Sequence, residues 1–97
     1  MLIVSQSKLL ILNFNNLLGL GVKSSSDNKS IEIKAYEFGT KDIEGITLGR
    51  YETLERAKQI LQEITNKYQE YIQITSRATG VEGISVLPKK YEMPKEW

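Results

Sequence analysis

The chain holds no histidine and no cysteine, and this pair of absences removes most of the chemistry a small domain performs near neutral pH. Without an imidazole there is no ordinary general base, so serine and cysteine triads are excluded. Zinc sites built from imidazole and thiolate are excluded as well. Carboxylates remain, twelve in all. A working pair would have to converge in one pocket with their pKa values pushed apart. Most of them fall instead in polar loops or on the solvent side of a helical pattern, where such charge keeps a surface wet.

Three further groupings invite a chemical reading. The stretch Gly19-Leu20-Gly21-Val22-Lys23-Ser24-Ser25 resembles a phosphate-binding loop in composition but fails it in spacing. A Walker loop separates its glycines by four residues and places lysine directly after the second. Asn28-Lys29-Ser30 fits a glycosylation sequon, yet no export signal precedes it, so it reads as a loop. Lys34, Tyr36, Arg50 and Tyr51 all fall in strand patterns and could present cations and aromatics on one sheet surface. Such surfaces stack single-stranded bases. A formal net charge of +1 supplies no basic face, so nucleic acid is disfavoured as a partner. No cofactor or metal is indicated.

The element that must organise these groups is a long amphipathic helix from Thr53 to about Ile74. Leu54, Ala57, Ile60, Leu61, Ile64, Tyr68, Tyr71 and Ile72 recur at spacings of three and four and share one face. Thr53 is placed to cap it, with Glu52 and Glu55 near its positive end. Glu63 and Lys67 form an i,i+4 pair, and Gly80 suits a C-terminal cap.

Everything before the helix reads as short strands. Met1–Val4 is the first, followed by a hairpin turn at Ser5–Lys8. In the second, Leu9–Phe14, one face is Leu10, Leu12 and Phe14 and the other is Leu9, Ile11 and Asn13. Asn15-Asn16 turns the chain. Leu17–Lys23 is the third strand, with Leu18, Leu20 and Val22 on one face and glycines opposite, a sign of a bulge or close approach. Ser30–Glu37 alternates cleanly, with Ile31, Ile33 and Ala35 inward and Glu32, Lys34 and Tyr36 outward. Ile46–Tyr51 is the fifth, and Ile84–Leu87 could add a sixth.

The expected fold is therefore α+β: an antiparallel, twisted sheet of five to six strands followed by one long helix packed on one face. Residues 1–88 form the single domain and 89–97 a polar tail. An α+β roll and a pleckstrin-like half-barrel both fit this order. Ninety-seven residues suffice for one core. No apolar run is long enough to span a bilayer, and residues 1–12 lack the basic lead of a signal peptide, so a cytoplasmic location is expected.

One anomaly bears on partners. Leu9 to Leu12 is apolar on both strand faces, and Leu17, Leu18 and Leu20 nearly repeat this. A lone helix covers one face of a sheet, so Leu9, Ile11 and Leu17 need another cover. Sheet curvature, a second subunit in a homodimer, or a partner protein would each supply it.

The segments MLIVSQSKLLILNFNN and LGRYETLERAKQILQEI, with the later YEMP, resemble a family of small proteins from phages, prophages and mobile elements of Gram-positive bacteria. That family shows a VSQ-(D/S)-K turn, an NF-(D/N)-N strand end and a Y-x-T-x-E-R-A-K helix opening. The resemblance implies no enzymatic activity and assigns no residue a role. It implies a context in which compact phage-encoded domains bind and inhibit host machinery, including defence systems such as CRISPR nucleases.

The leading expectation is thus a non-enzymatic protein-interaction module, an anti-CRISPR-like steric inhibitor of a bacterial defence system or host factor. Its binding surface would draw on Leu9, Ile11 and Leu17 or on Lys34, Tyr36, Arg50 and Tyr51. The alternative is an oligomeric small-ligand or nucleotide-binding module that sequesters a signal. A phage assembly component ranks third and an enzyme last. An acidic surface patch would favour mimicry of nucleic acid, and a concave pocket lined by Arg50, Lys34 and tyrosine would favour the ligand reading.

Overall fold

The computed structural model describes residues 1–37, 44–77 and 90–96, with helix side chains described as far as residue 70. Chain order gives β1 (Leu2–Val4), β2 (Ile11–Asn13), a 3-10 turn (Phe14–Asn16), β3 (Leu17–Ser24), β4 (Ile31–Glu37), β5 (Ile46–Tyr51), α1 (Leu54–Arg77) and β6 (Lys90–Glu92). The α+β class holds. The single sheet does not: the strands divide into two three-stranded sheets, β2-β1-β6 and β3-β4-β5. Only the second is wholly antiparallel, because β1 runs parallel to β6, Ile3 facing Tyr91.

The expected polar tail is the strand that changes the topology. Tyr91 and Met93 are buried, and the Met93 amide donates to the Val4 carbonyl at 2.9 Å. The local pattern Lys-Lys-Tyr-Glu-Met reads as polar because only every second residue faces inward. The proposed cap at Gly80 and the strand at Ile84–Leu87 lie outside the described residues, as do the side chains of Tyr71 and Ile72 expected in the helix stripe.

Turns form where side chains replace missing backbone partners. At Ser5–Lys8 the Ser5 amide donates to the Leu10 carbonyl at 2.8 Å, Lys8 adopts φ 66°, and the Ser5 hydroxyl accepts from the Leu10 amide. Asn13 Oδ1 accepts from the Asn15 amide at 3.0 Å and starts the 3-10 turn. At the helix start the Arg56 amide donates to Thr53 Oγ1 at 3.1 Å, the cap its position indicated.

Two bulges decide which side chains face inward. Between Leu17 and Gly19 the register of β3 on β4 shifts. Leu18 therefore leaves the face it was expected to share with Leu20 and Val22 and is 67% exposed. Leu17 turns inward and packs on the core, so it needs no partner to cover it. In β5 the register shifts opposite Ile33/Lys34, with Gly49 facing Ile33 and Thr47 facing Lys34. The extra residue puts Leu48 and Tyr51 both inward, and both are buried.

The core lies between the two sheets and the helix. Ile3 and Tyr91 come from one sheet, Ile33, Ala35, Leu48 and Tyr51 from the other, and Ala57, Ile60 and Ile64 from α1. Leu61 and Tyr68 flank this stripe half-buried, whereas Leu54, expected within it, is exposed. Phe14 meets Tyr68 with ring centroids 4.5 Å apart, closing the core at the 3-10 turn. Glu63 does not reach for Lys67 in the described contacts. It accepts from the Tyr91 hydroxyl at 3.0 Å and pairs with Arg56 at 3.6 Å.

Candidate functional site

The outer face of the β3-β4-β5 sheet collects the polar side chains that the sequence singled out. Alternation along β4 sends Glu32, Lys34 and Tyr36 to this face, and the β5 bulge sends Thr47 and Arg50 to join them. Glu32 was expected to be a solvated outward charge. It is instead buried between two cations, with Lys34 Nζ at 3.7 Å and Arg50 Nε donating at 2.9 Å. Lys34 also donates to Thr47 Oγ1 at 2.6 Å and is itself largely enclosed. Tyr36 lies over glycines, since a Cβ at Gly21 would sit 3.3 Å from its ring and one at Gly45 only 2.7 Å. Gly45 also needs φ 76°, a conformation that a side chain would strain.

Tyr51 does not belong to this face. Its ring lies inward over Gly49, where a Cβ would come within 2.7 Å of the hydroxyl oxygen. That hydroxyl donates to the Pro94 carbonyl at 3.0 Å, and burial, followed by the nearby Glu96 charge, raises its pKa to about 12. Of the four candidates, Lys34, Tyr36 and Arg50 come together and Tyr51 serves the core.

Arg50 borders two adjoining clefts. One, of about 380 Å³, is lined by Gln6, Asp27, Lys29, Ser30 and Arg50; the other, of about 190 Å³, by Gln6, Ser7, Thr47, Leu48, Gly49 and Arg50. Neither contains Lys34 or a tyrosine. Asp27 accepts from the Ser25 hydroxyl at 2.5 Å and the Lys29 amide at 3.0 Å. Those bonds, the hydroxyl's first, hold its pKa below the usual carboxylate value. It is therefore an anion at neutral pH and no general acid. The larger cleft thus sets the cations Lys29 and Arg50 beside the Asp27 carboxylate, with Arg50 already engaged by Glu32.

Gln6 is the residue sequence reasoning missed. Its main-chain amide donates to the Leu48 carbonyl at 2.8 Å, and its Oε1 accepts from the Arg50 amide at 2.9 Å. Its Nε2 donates to the carbonyls of Arg50, Pro94 and Glu96. One side chain thus covers the open edge of β5 and ties it to the segment after β6. No local property separates it from any polar turn residue; its place at the end of Val4-Ser5-Gln6 was the one available signal.

A second surface lies on the other sheet. Ile3 and Leu12 oppose each other toward the core, so Leu2, Val4, Ile11 and Asn13 face away from it. Val4 is buried there, but Ile11 is 59% exposed; the strand expected from Leu9 begins only at Ile11, so Leu9, 89% exposed, stands in the turn that leads into β2. Lys8, Lys90 and Glu92 rim this surface, with Glu92 3.7 Å from Lys8 and 3.6 Å from Lys90.

Among the described residues no three acidic side chains cluster to hold a metal ion, and no helix is long and apolar enough to cross a membrane. Comparison with protein-family models, with curated proteins and with solved structures finds no match for this chain.

Proposed function

We propose that this chain is a non-enzymatic protein-interaction module that binds through the outer face of β1 and β2. The observation that carries the reading is the exposure of Ile11 on β2, an edge strand of its sheet, with Leu2 on the neighbouring β1 and Leu9 in the turn that leads into β2. Branched apolar side chains held in water gain about 1.5–3 kcal/mol each when a partner fully buries them. The charged rim of Lys8, Lys90 and Glu92 would orient such a partner. The phage resemblance supplies the context: a bacterial host or defence protein, blocked sterically in the cytoplasm of the host cell.

The test is the double change Leu9→Lys and Ile11→Lys. Both residues lie outside the core, so the far-ultraviolet circular dichroism should match the parent. Binding to a partner first isolated with the parent protein should fall at least about a hundredfold, as expected when the apolar centre of an interface is charged. A folded double variant that binds that partner as the parent does would overturn the reading.

The ligand reading retains one observation in its favour, the cleft at Arg50 and Lys29. It calls for an anionic small molecule that mass spectrometry finds with the parent protein and loses with Arg50→Ala.

A further inference from the structure

Among the described residues, β3 presents an edge that no other strand pairs. β3 is eight residues long and lies at one side of the β3-β4-β5 sheet. The hydrogen bond from the Ser25 amide to the Ser30 carbonyl, 2.9 Å, fixes the phase of its ladder with β4. In an antiparallel ladder, bonded and non-bonded pairs alternate. Lys23 and Gly21 therefore bond toward β4, opposite Glu32 and Lys34. Leu20, Val22 and Ser24 turn their N–H and C=O groups to the open side, where no described residue takes them up.

The other edges are managed differently. Gln6 occupies the open edge of β5, and β2 and β6, the two edges of the other sheet, are only three residues long. Natural edge strands are blunted by proline, by charge, by shortness or by bulges. Beyond its bulge at Leu18, β3 has no proline and a single charge, Lys23. Its central residues Gly19-Leu20-Gly21-Val22-Lys23 also read nearly the same in both directions, with an apolar residue on each side of Gly21. Leu20 and Val22 are half-buried at the margin of the core.

We infer that β3 pairs antiparallel with β3 of a second copy of this chain, about a two-fold axis at Gly21, to form one continuous six-stranded sheet. In this register Leu20 of one copy and Val22 of the other face each other and exchange their outward main-chain bonds. Their side chains share the inner face, so the two cores join across the axis. On the outer face Gly21 meets Gly21, and Lys23 falls opposite Gly19 instead of another lysine. A pairing centred on Lys23 would set like charges against each other. The palindromic pattern favours a second copy over an unrelated extended segment, since a two-fold axis needs the same residues to suit both sides. This surface is distinct from the β1–β2 face, so the Leu9→Lys, Ile11→Lys variant should dimerise unchanged.

The absence of cysteine makes the register directly testable. Gly21→Cys places one thiol per chain at the axis, where a non-bonded antiparallel pair brings Cα atoms to about 4.5 Å, within disulfide range. Its Cβ would press only on the Tyr36 ring. Mild oxidation should link Gly21→Cys into a covalent dimer about tenfold faster than Lys23→Cys, because pairing raises the local thiol concentration at the axis alone. The parent should have the dimer mass by light scattering, with slowed amide exchange at Leu20 and Val22. Val22→Pro removes an N–H used only across the axis and should give a folded monomer. A monomeric parent, equal cross-linking at both positions, or a dimer whose Leu20 and Val22 amides exchange freely would each overturn the inference. So would protection of these amides that appears only with a different protein.

Discussion

Tyr51 shows how little of a residue's role its type reveals. As an aromatic next to Arg50 it reads as a binding residue, yet one bulge turns it under the sheet and over Gly49. Tyr91 is similar: burial, then the hydrogen bond to Glu63, raises its pKa still further than that of Tyr51. The consequence for stability has a definite sign. Both folded pKa values exceed the unfolded value of 10, so the contribution of these neutral hydroxyls is complete below pH 10. It is lost as pH rises through about 12 for Tyr51. In a phenolate absorbance titration, the Tyr51 and Tyr91 hydroxyls should ionise late, together with loss of circular dichroism. Phenylalanine at both positions should remove that late step.

The helix is the element the sequence describes best, because its stripe is regular and its cap is local. Ala57, Ile60 and Ile64 are buried where the period places them, and Thr53 caps where it should. Ile64→Ala should lower stability by about 2–4 kcal/mol in chemical denaturation, since it removes a buried branched side chain and leaves a cavity. Gln62→Ala, which loses only an exposed bond to Asn66, should change it by less than about 0.5 kcal/mol. Equal effects would mean that the helix is rotated on the sheets. The strands were harder to read, because alternation survives only until an extra residue enters. Each bulge reverses the facing of the residues beyond it, and nothing local announces it except the glycines Gly19 and Gly49.

At the scale of the whole molecule, segments distant in sequence close the structure. Gln6 ties β5 to Pro94 and Glu96, Tyr51 reaches Pro94, and Arg56 holds Glu96 at 2.6 Å through its Nε. The Arg56 bond keeps the Glu96 carboxyl below its usual pKa and raises that of the guanidinium. The motifs that carry the phage resemblance have structural tasks here: a turn and edge cover at Ser5-Gln6, a 3-10 turn after Asn13, a helix start at Thr53, and a strand at Tyr91. Deleting residues 90–97 should therefore unfold the protein instead of trimming a tail. Loss of buried Tyr91 and Met93 costs about 5 kcal/mol or more, comparable to the whole stability of a small domain. A truncated chain that melts like the parent would contradict this architecture.

By itself, the sequence determined what short-range periodicity can carry: an α+β order, the helix and the buried Ala57, Ile60 and Ile64 of its stripe, the inward side of β4, and a chemistry without imidazole or thiol. Tertiary structure alone decided the division into two sheets, the parallel pairing of β1 with β6, the burial of Tyr51 and Glu32, and the exposure that singles out Leu9 and Ile11. The reason is physical. Periodicity records which residues prefer to be covered, whereas what covers them depends on contacts between segments far apart in the chain, and a single extra residue in a strand reverses the answer.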